Sequence, residues 1–279
     1  MTGIRIVTDS TTDLPRELLE QYRVEVVPLT VYVDGATYLD SVTIQPIEFM
    51  HKMSVARELP KTSQPSIGSF AEVYDRLGAD GSTVISIHMT SGMSGTYQAA
   101  RAAAELSSSN VLVVDSRMIS QALGFQVTEA ARLAAEGASP DSILLRLQSV
   151  CERTRLYVVV DTLVNLIRGG RIGKAAGLIG TMLSIKPIAM LKEGVYSPIA
   201  KVRTTSQVVR TLMEHFREDT QHRVIRGIGI SHADNLPLAA RLKQALAEWT
   251  DVPVRICPAT PVITTHTGPG AIGFMFYTE

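Results

Sequence analysis

The 279-residue chain carries 27 basic and 27 acidic residues, so no net field draws it to nucleic acid or to an anionic membrane surface. Its two cysteines, Cys151 and Cys257, stand outside any C-x-x-C or Cys/His spacing, which argues against a structural zinc and a disulfide framework. Met1 to Val7 runs straight into a strand pattern and no apolar run reaches about eighteen residues, so neither a signal peptide nor a membrane span is expected, and the cytoplasm is the default setting.

In chain order, the pattern predicts a strand at Ile4 to Thr8, a helix at Pro15 to Tyr22 and a strand at Val24 to Val33. Helices follow near Pro46 to Arg57 and Ser66 to Leu77, then a strand at Thr83 to Ile87, a helix at Thr96 to Leu106, a strand at Val111 to Val114 and a helix at Ser120 to Glu136. Short apolar strands between amphipathic helices indicate an α/β arrangement, a parallel sheet with helices on both faces. Ligands of such sheets sit at the strand C-termini.

Ser139-Pro140-Asp141 opens a further helix running to about Arg153, ahead of a strand at Leu156 to Val160. The texture then changes. A glycine-rich stretch from Arg168 to Gly180 precedes two strands, Ile185 to Met190 and Tyr196 to Val202, joined by the turn Lys192-Glu193-Gly194. Helices near Thr205 to Arg217 and Leu236 to Trp249 alternate with strands at Gly227 to Ile230 and Val254 to Cys257. The reading is two closely packed domains with a cleft between them, an α/β domain at 1–154 and an α+β domain at 155–279.

The most informative local feature is Thr90-Ser91-Gly92-Met93-Ser94-Gly95-Thr96, a small-residue turn between a strand and a helix. Such a turn aims unpaired N–H groups at one point and favours a carboxylate or phosphate there, although a serine in that place also serves as a plain helix cap. Gly92-Met93-Ser94-Gly95-Thr96 approaches the nucleophile elbow G-x-S-x-G, with Thr96 where the last glycine belongs and His266 as the one histidine in a glycine-rich setting. Gly169 to Ala175 resembles a P-loop one residue short, with Ala175 in place of the magnesium-holding hydroxyl. Asp9 and Asp13 flank a serine/threonine turn before the helix near Pro15. With no third ligand apparent, one is expected to cap that helix and no metal is expected.

Ile6-Val7-Thr8-Asp9-Ser10, Thr62-Ser63-Gln64-Pro65-Ser66, Ser94-Gly95-Thr96-Tyr97-Gln98, Gly169-Gly170-Arg171-Ile172 and Gly268-Pro269-Gly270 resemble, in order, the signature segments of the DegV family. The resemblance spans essentially the whole chain. It implies a two-domain bacterial protein that encloses one long-chain fatty acid, such as hexadecanoate, at the domain interface. Such a protein is a lipid-binding subunit of a fatty acid kinase and not itself an enzyme. On that resemblance Thr62 and Ser94 hydrogen-bond the carboxylate with His266 close by, while Arg171 and Arg203 lie near the head group where a kinase partner docks. ATP and magnesium belong to that partner, and this chain needs no cofactor beyond its fatty acid.

The physical chemistry agrees. Burying roughly fourteen methylenes at about 0.8 kcal/mol each provides on the order of 11 kcal/mol before ordering costs. Leu163, Leu166, Ile167, Leu178, Ile179, Met182, Leu183, Ile185 and Ile188 are dense enough to wall a tunnel, as any core segment would be. A second class of reading is a stand-alone enzyme, either a serine hydrolase using Ser94 and His266 or a phosphotransferase using the Gly169 loop.

Overall fold

A computed structural model describes residues 3–178 and 185–279. The first part of the chain runs β1 (Ile4–Asp9), α1 (Arg16–Gln21), β2 (Glu25–Val27), β3 (Thr30–Val33), β4 (Ala36–Leu39), α2 (Pro46–Val55), β5 (Lys61–Ser63), α3 (Ile67–Gly78), β6 (Thr83–His88), α4 (Thr96–Leu106), β7 (Val111–Asp115), α5 (Ser120–Ala135) and α6 (Pro140–Arg153). It continues with β8 (Thr154–Val159), α7 (Val164–Arg168), β9 (Lys186–Lys192), β10 (Val195–Val202), α8 (Thr205–Thr220), β11 (Ile225–His232), α9 (Leu236–Ala247), β12 (Val254–Pro258), α10 (Pro261–Thr267) and β13 (Ile272–Thr278). Short 3₁₀ turns occupy Ser10–Thr12 and Gly173–Leu178.

Strands β2, β1, β6 and β7 form, in that order, the expected parallel sheet. Its alternation sorts the side chains: Val7 and Val84 pack with Phe70 and Tyr74 of α3 and the alanines of α4, whereas Ile6 and Ile85 face Leu123 of α5. β6 is buried along its whole length, as a strand covered on both faces must be. The second sheet, in the order β10, β9, β8, β13, β11 and β12, is antiparallel except for the β11–β12 pair. One face carries α8 and α9 on Tyr157, Phe274 and Phe276, and the other turns Leu156, Val158 and Met275 into the same core as Ile6 and Leu123. Helix α5 is therefore a layer between two sheets, which is why both its apolar and its polar side chains are buried.

Several elements depart from the pattern-based expectation. The run Val24 to Val33 is two strands, because Pro28 follows the last pairing with β1, Asp9 opposite Val27, and the chain then leaves for a third sheet. That sheet, β4-β3-β5, turns at Asp34-Gly35, both with positive φ (46° and 82°), a left-handed pair suited to a tight hairpin. β5 is three residues with no apolar alternation to announce it. α7, α10 and β13 were likewise unmarked, although the aromatic run of β13 occupies the centre of its sheet between β8 and β11. Among the described residues no helix is long and apolar enough to cross a membrane, and no group of three or more His, Cys, Asp or Glu side chains is placed to hold a metal.

The acids of the first loop do not cap α1, whose N-cap is Pro15 with no side-chain bond. Asp9 instead caps the 3₁₀ turn, accepting from the Thr11 N–H at 3.0 Å. Asp13, left-handed at φ 49°, reaches across the molecule to accept from the Thr260 N–H at 2.8 Å and from the Ser120 hydroxyl. Asp40 accepts from the Ser10 hydroxyl at 2.6 Å and the Val262 N–H at 3.3 Å. Burial, reinforced by the neighbouring Asp13 and Asp9, pushes Asp40 up to about 8.

This sets a pH dependence. Asp40 ionises near 3.8 when unfolded and near 8 when folded, so its contribution to stability is complete at acid pH and is lost as pH rises through that window. Melting temperatures measured from about pH 5 to 9 should fall for the parent protein and fall less steeply for Asp40→Asn, which keeps an acceptor but no charge. Identical slopes for the two proteins would contradict this.

Candidate functional site

One cavity gathers residues from the small third sheet, the second sheet, α10 and the turns that follow β6 and α7. With about 410 Å³ of empty space, it is lined by Leu29, Thr62, Met89, Met93, Ser94, Ile119, Arg171, Tyr196, Val262, Ile263, His266 and Thr267. Four of the five residues singled out from sequence, Thr62, Ser94, Arg171 and His266, thus share one wall. Arg203 does not line it: this residue is exposed between β10 and α8, with its N–H on the side-chain oxygen of Gln207 at 2.9 Å.

Each polar group is placed by a local device. Thr62 sits on β5 opposite Val31, whose side chain is fully buried, so the strand register turns Thr62 inward. His266 lies in the last turn of α10, a helix and not the loop its glycine-rich surroundings suggest. Its Nε2 is 2.8 Å from the Thr62 hydroxyl. Its Nδ1 is buried and without a partner among the described residues, and it rests against Gly169, where a Cβ would come within 2.3 Å. Burial first, and the Arg171 charge second, push His266 down to about 4, so the imidazole is neutral at neutral pH. Arg171 is anchored through the Met93 carbonyl at 3.0 Å and the Gly169 carbonyl at 2.5 Å, joining the turn before α4 to the loop after α7.

The Ser94 turn satisfies much of itself. The Ser94 hydroxyl accepts from the Thr96 N–H at 3.2 Å and pairs with the Thr96 hydroxyl at 2.8 Å, a local turn ahead of α4, whose N-cap is Gly95 with no side-chain bond, so the plain capping role considered on sequence grounds is not what Ser94 does. The N–H groups of Ser91, Gly92 and Met93 go to Asp115, the Thr90 hydroxyl and the Thr90 carbonyl. Among the described residues those of Ser94 and Gly95 have no protein acceptor, which leaves two main-chain donors beside the hydroxyl. With one guanidinium, one neutral imidazole, four hydroxyl-bearing residues and no carboxylate in its wall, the cavity suits a single anionic group attached to something apolar.

The geometry for nucleophilic chemistry is missing where sequence suggested it. Ser94 and His266 make their hydrogen bonds elsewhere, and no described acid orients Nδ1. A Ser-His-Asp series does exist in the parallel sheet, with Ser86 Oγ 2.7 Å from His88 Nε2 and His88 Nδ1 3.1 Å from Asp9. All three residues are fully buried, and the Tyr74 hydroxyl donates to Ser86 at 2.8 Å, so the series ties β1 to β6. Burial opposes ionisation of Asp9, but bonds from His88, Thr11 and Met89 outweigh it and hold the acid below its ordinary range. The Gly169 loop follows a short helix instead of a strand and leads into a 3₁₀ turn, unlike a phosphate-binding loop.

The apolar walls were only partly legible. Leu163 and Leu166 line a neighbouring cavity, and Ile188 is buried in the core under α8 and α9 instead. Ile179, Met182 and Leu183, with the side chain of Leu178, lie outside the described residues. Met89, Ile119, Val262 and Ile263 were missed because they come one or two at a time from three separate segments.

Comparison with known proteins is consistent throughout. A family model described as an uncharacterised protein of the DegV family matches residues 3–279. A DegV domain-containing protein of Staphylococcus aureus (strain N315) is 41% identical over 276 residues, spanning 99% of both chains. A solved structure described as fatty acid binding of a DegV family protein from Thermus thermophilus is 36% identical with a TM-score of 0.94, covering 100% of both chains. The crystal structure of DegV, a fatty acid binding protein from Bacillus subtilis, is 33% identical with a TM-score of 0.92, again over 100% of both.

Two measurements check the site. In the unliganded protein His266 should titrate by NMR at about 4, and a midpoint in the usual histidine range would show the ring to be solvated. Gly169→Ala, at an ordinary φ of −75°, should leave the end of α7 intact yet push the ring outward and move that midpoint up.

Proposed function

The chain belongs to the DegV family, and we propose that it binds a long-chain fatty acid such as hexadecanoate, held between an α/β domain at 1–154 and an α+β domain at 155–279. The carboxylate lies against the hydroxyls of Thr62 and Ser94, with His266 behind Thr62. The observation that carries this reading is the single cavity that sets Thr62, Ser94, Arg171 and His266 beside Leu29, Met89, Ile119 and Ile263 with no acid among them. Neutral imidazole suits the role: with Nε2–H donated to Thr62, the Thr62 proton is free for the ligand oxygen. The relatives from Thermus thermophilus and Bacillus subtilis, both described as binding fatty acids, support the ligand class.

On the finer reading the chain presents its ligand instead of transforming it. Hydroxyl and main-chain donors hold one carboxylate oxygen and leave the other for phosphorylation by a separate ATP-dependent kinase subunit, which brings the ATP and magnesium. Arg171 at the cavity wall and exposed Arg203 are the cations offered to that partner. The hydrogen bonds of Ser94 and His266 support binding over hydrolysis by this chain alone.

Native mass spectrometry of protein purified from a bacterial host should show one bound fatty acid. Because a hydrogen bond to a charged group contributes about 1.5–3 kcal/mol, Thr62→Ala and Ser94→Ala should each weaken fatty acid affinity roughly tenfold or more. Unchanged affinity in the double variant would reject the head-group assignment. Turnover of acyl esters or ATP by the purified chain alone would favour the enzyme reading.

A further inference from the structure

Three cavities meet at one side chain. The head-group cavity shares Ile119, Tyr196, Ile263 and Thr267 with a second of about 320 Å³ of empty space, so the two have a continuous wall. A third, of about 280 Å³, is lined by Val158, Val160, Leu163, Leu166, Pro187 and Ala189, together with Tyr196. Among the described residues Tyr196 is the one that borders all three, and the third cavity has no other described wall residue in common with the first.

We propose that Tyr196 is a specificity-determining residue for the acyl tail: its ring directs the tail from the head-group cavity into the second cavity and bars it from the third. This rests on the fatty-acid reading above. Tyr196 is only 2% exposed and is held on both sides. It pairs across strands with Leu191, and Gly173, in the left-handed region at φ 56°, lies so close to the Tyr196 main-chain N and O that a Cβ there would approach them within 3.1–3.2 Å. The main chain that carries the ring is thus fixed, and the buried ring stands between the cavities as a partition.

The two routes differ in chemistry. The second cavity includes the hydroxyls of Ser120 and Ser231, which are hydrogen-bonded to each other at 2.9 Å with Ser120 also donating to Asp13, so a polar stop meets a tail of a given length. Apart from Tyr196 the described walls of the third are wholly apolar, so a tail that reached it would meet no polar stop. Among the described residues Tyr196 is the wall it shares with the head-group cavity, while Tyr196 and Val158 are the walls it shares with the second. No described residue hydrogen-bonds the Tyr196 hydroxyl, so removing the ring breaks no described side-chain bond.

The test is a chain-length profile, read by competition with a fluorescent fatty acid on the delipidated full chain. With saturated acids of about 14 to 20 carbons, Tyr196→Ala should shift the preference to longer tails, by up to about fourfold in affinity for each methylene that gains the third cavity. Ala233→Leu, which fills the second cavity, should weaken the longer tails in the parent background. Ala189→Leu, which fills the third, should leave the parent profile unchanged and cancel the gain in Tyr196→Ala. The proposal is overturned if Tyr196→Ala keeps the parent profile, or if Ala189→Leu harms the parent protein as much as Ala233→Leu does. Should Tyr196→Ala fail to fold by circular dichroism, the two alanine variants decide the matter alone. A parent protein that binds none of these acids would instead overturn the fatty-acid reading.

Discussion

Helix α10 depends on groups that other parts of the chain supply to its two ends. Seven residues of mostly threonine, valine and isoleucine are too short and too β-branched to persist as an isolated helix. Asp13 and Asp40, from the first loop and the residue just after β4, accept the N–H groups of Thr260 and Val262. At the other end the Asn165 amide of α7 donates to the Thr265 carbonyl at 3.1 Å. His266 owes its position to these caps, and through His266 so does the hydrogen bond to Thr62. Two carboxyl groups raised above their ordinary ionisation range are the cost of that placement.

The same economy of charge runs through the cavity. A buried histidinium beside Arg171 would place two cations in a poorly solvated space, and the protein avoids this by keeping the imidazole neutral. Arg171 spends two of its donors on the carbonyls of Met93 and Gly169, so it braces the Ser94 turn against the glycine loop while lending the cavity its positive potential. The hairpin between β9 and β10 adds a second brace, where the Thr90 hydroxyl donates to the Gly194 carbonyl at 3.1 Å. The turn that borders the cavity therefore also carries contacts to the second sheet and to the glycine loop.

Because α5 is shared, the main apolar core runs uninterrupted from Ile6 in one sheet to Met275 in the other. The first two cavities are gaps in this core bounded by Ile119 at the start of α5, Tyr196 on β10 and Ile263 on α10. An apolar tail placed there would replace missing side-chain contacts without disturbing a polar interface. That continuity distinguishes the arrangement from an open interdomain cleft.

What the sequence by itself determined was the local and the periodic. The alternation of apolar strands with amphipathic helices gave the parallel sheet, and the change of texture from Arg168 onward marked a second domain of α+β kind. The resemblance carried by five segments brought together Thr62, Ser94, Arg171 and His266, which lie 32 to 204 residues apart in separate elements and which no spacing rule could join. Tertiary structure alone decided the rest. It made a helix of a threonine-rich segment by capping it from afar, made a strand of Lys61–Ser63 by pairing it with β3, sent Asp13 away from the helix it precedes, and assembled a cavity wall from isolated residues. The physical reason is that hydrophobic periodicity reports which face of an element is buried, whereas caps, edge pairings and cavities are set by what other elements place opposite it.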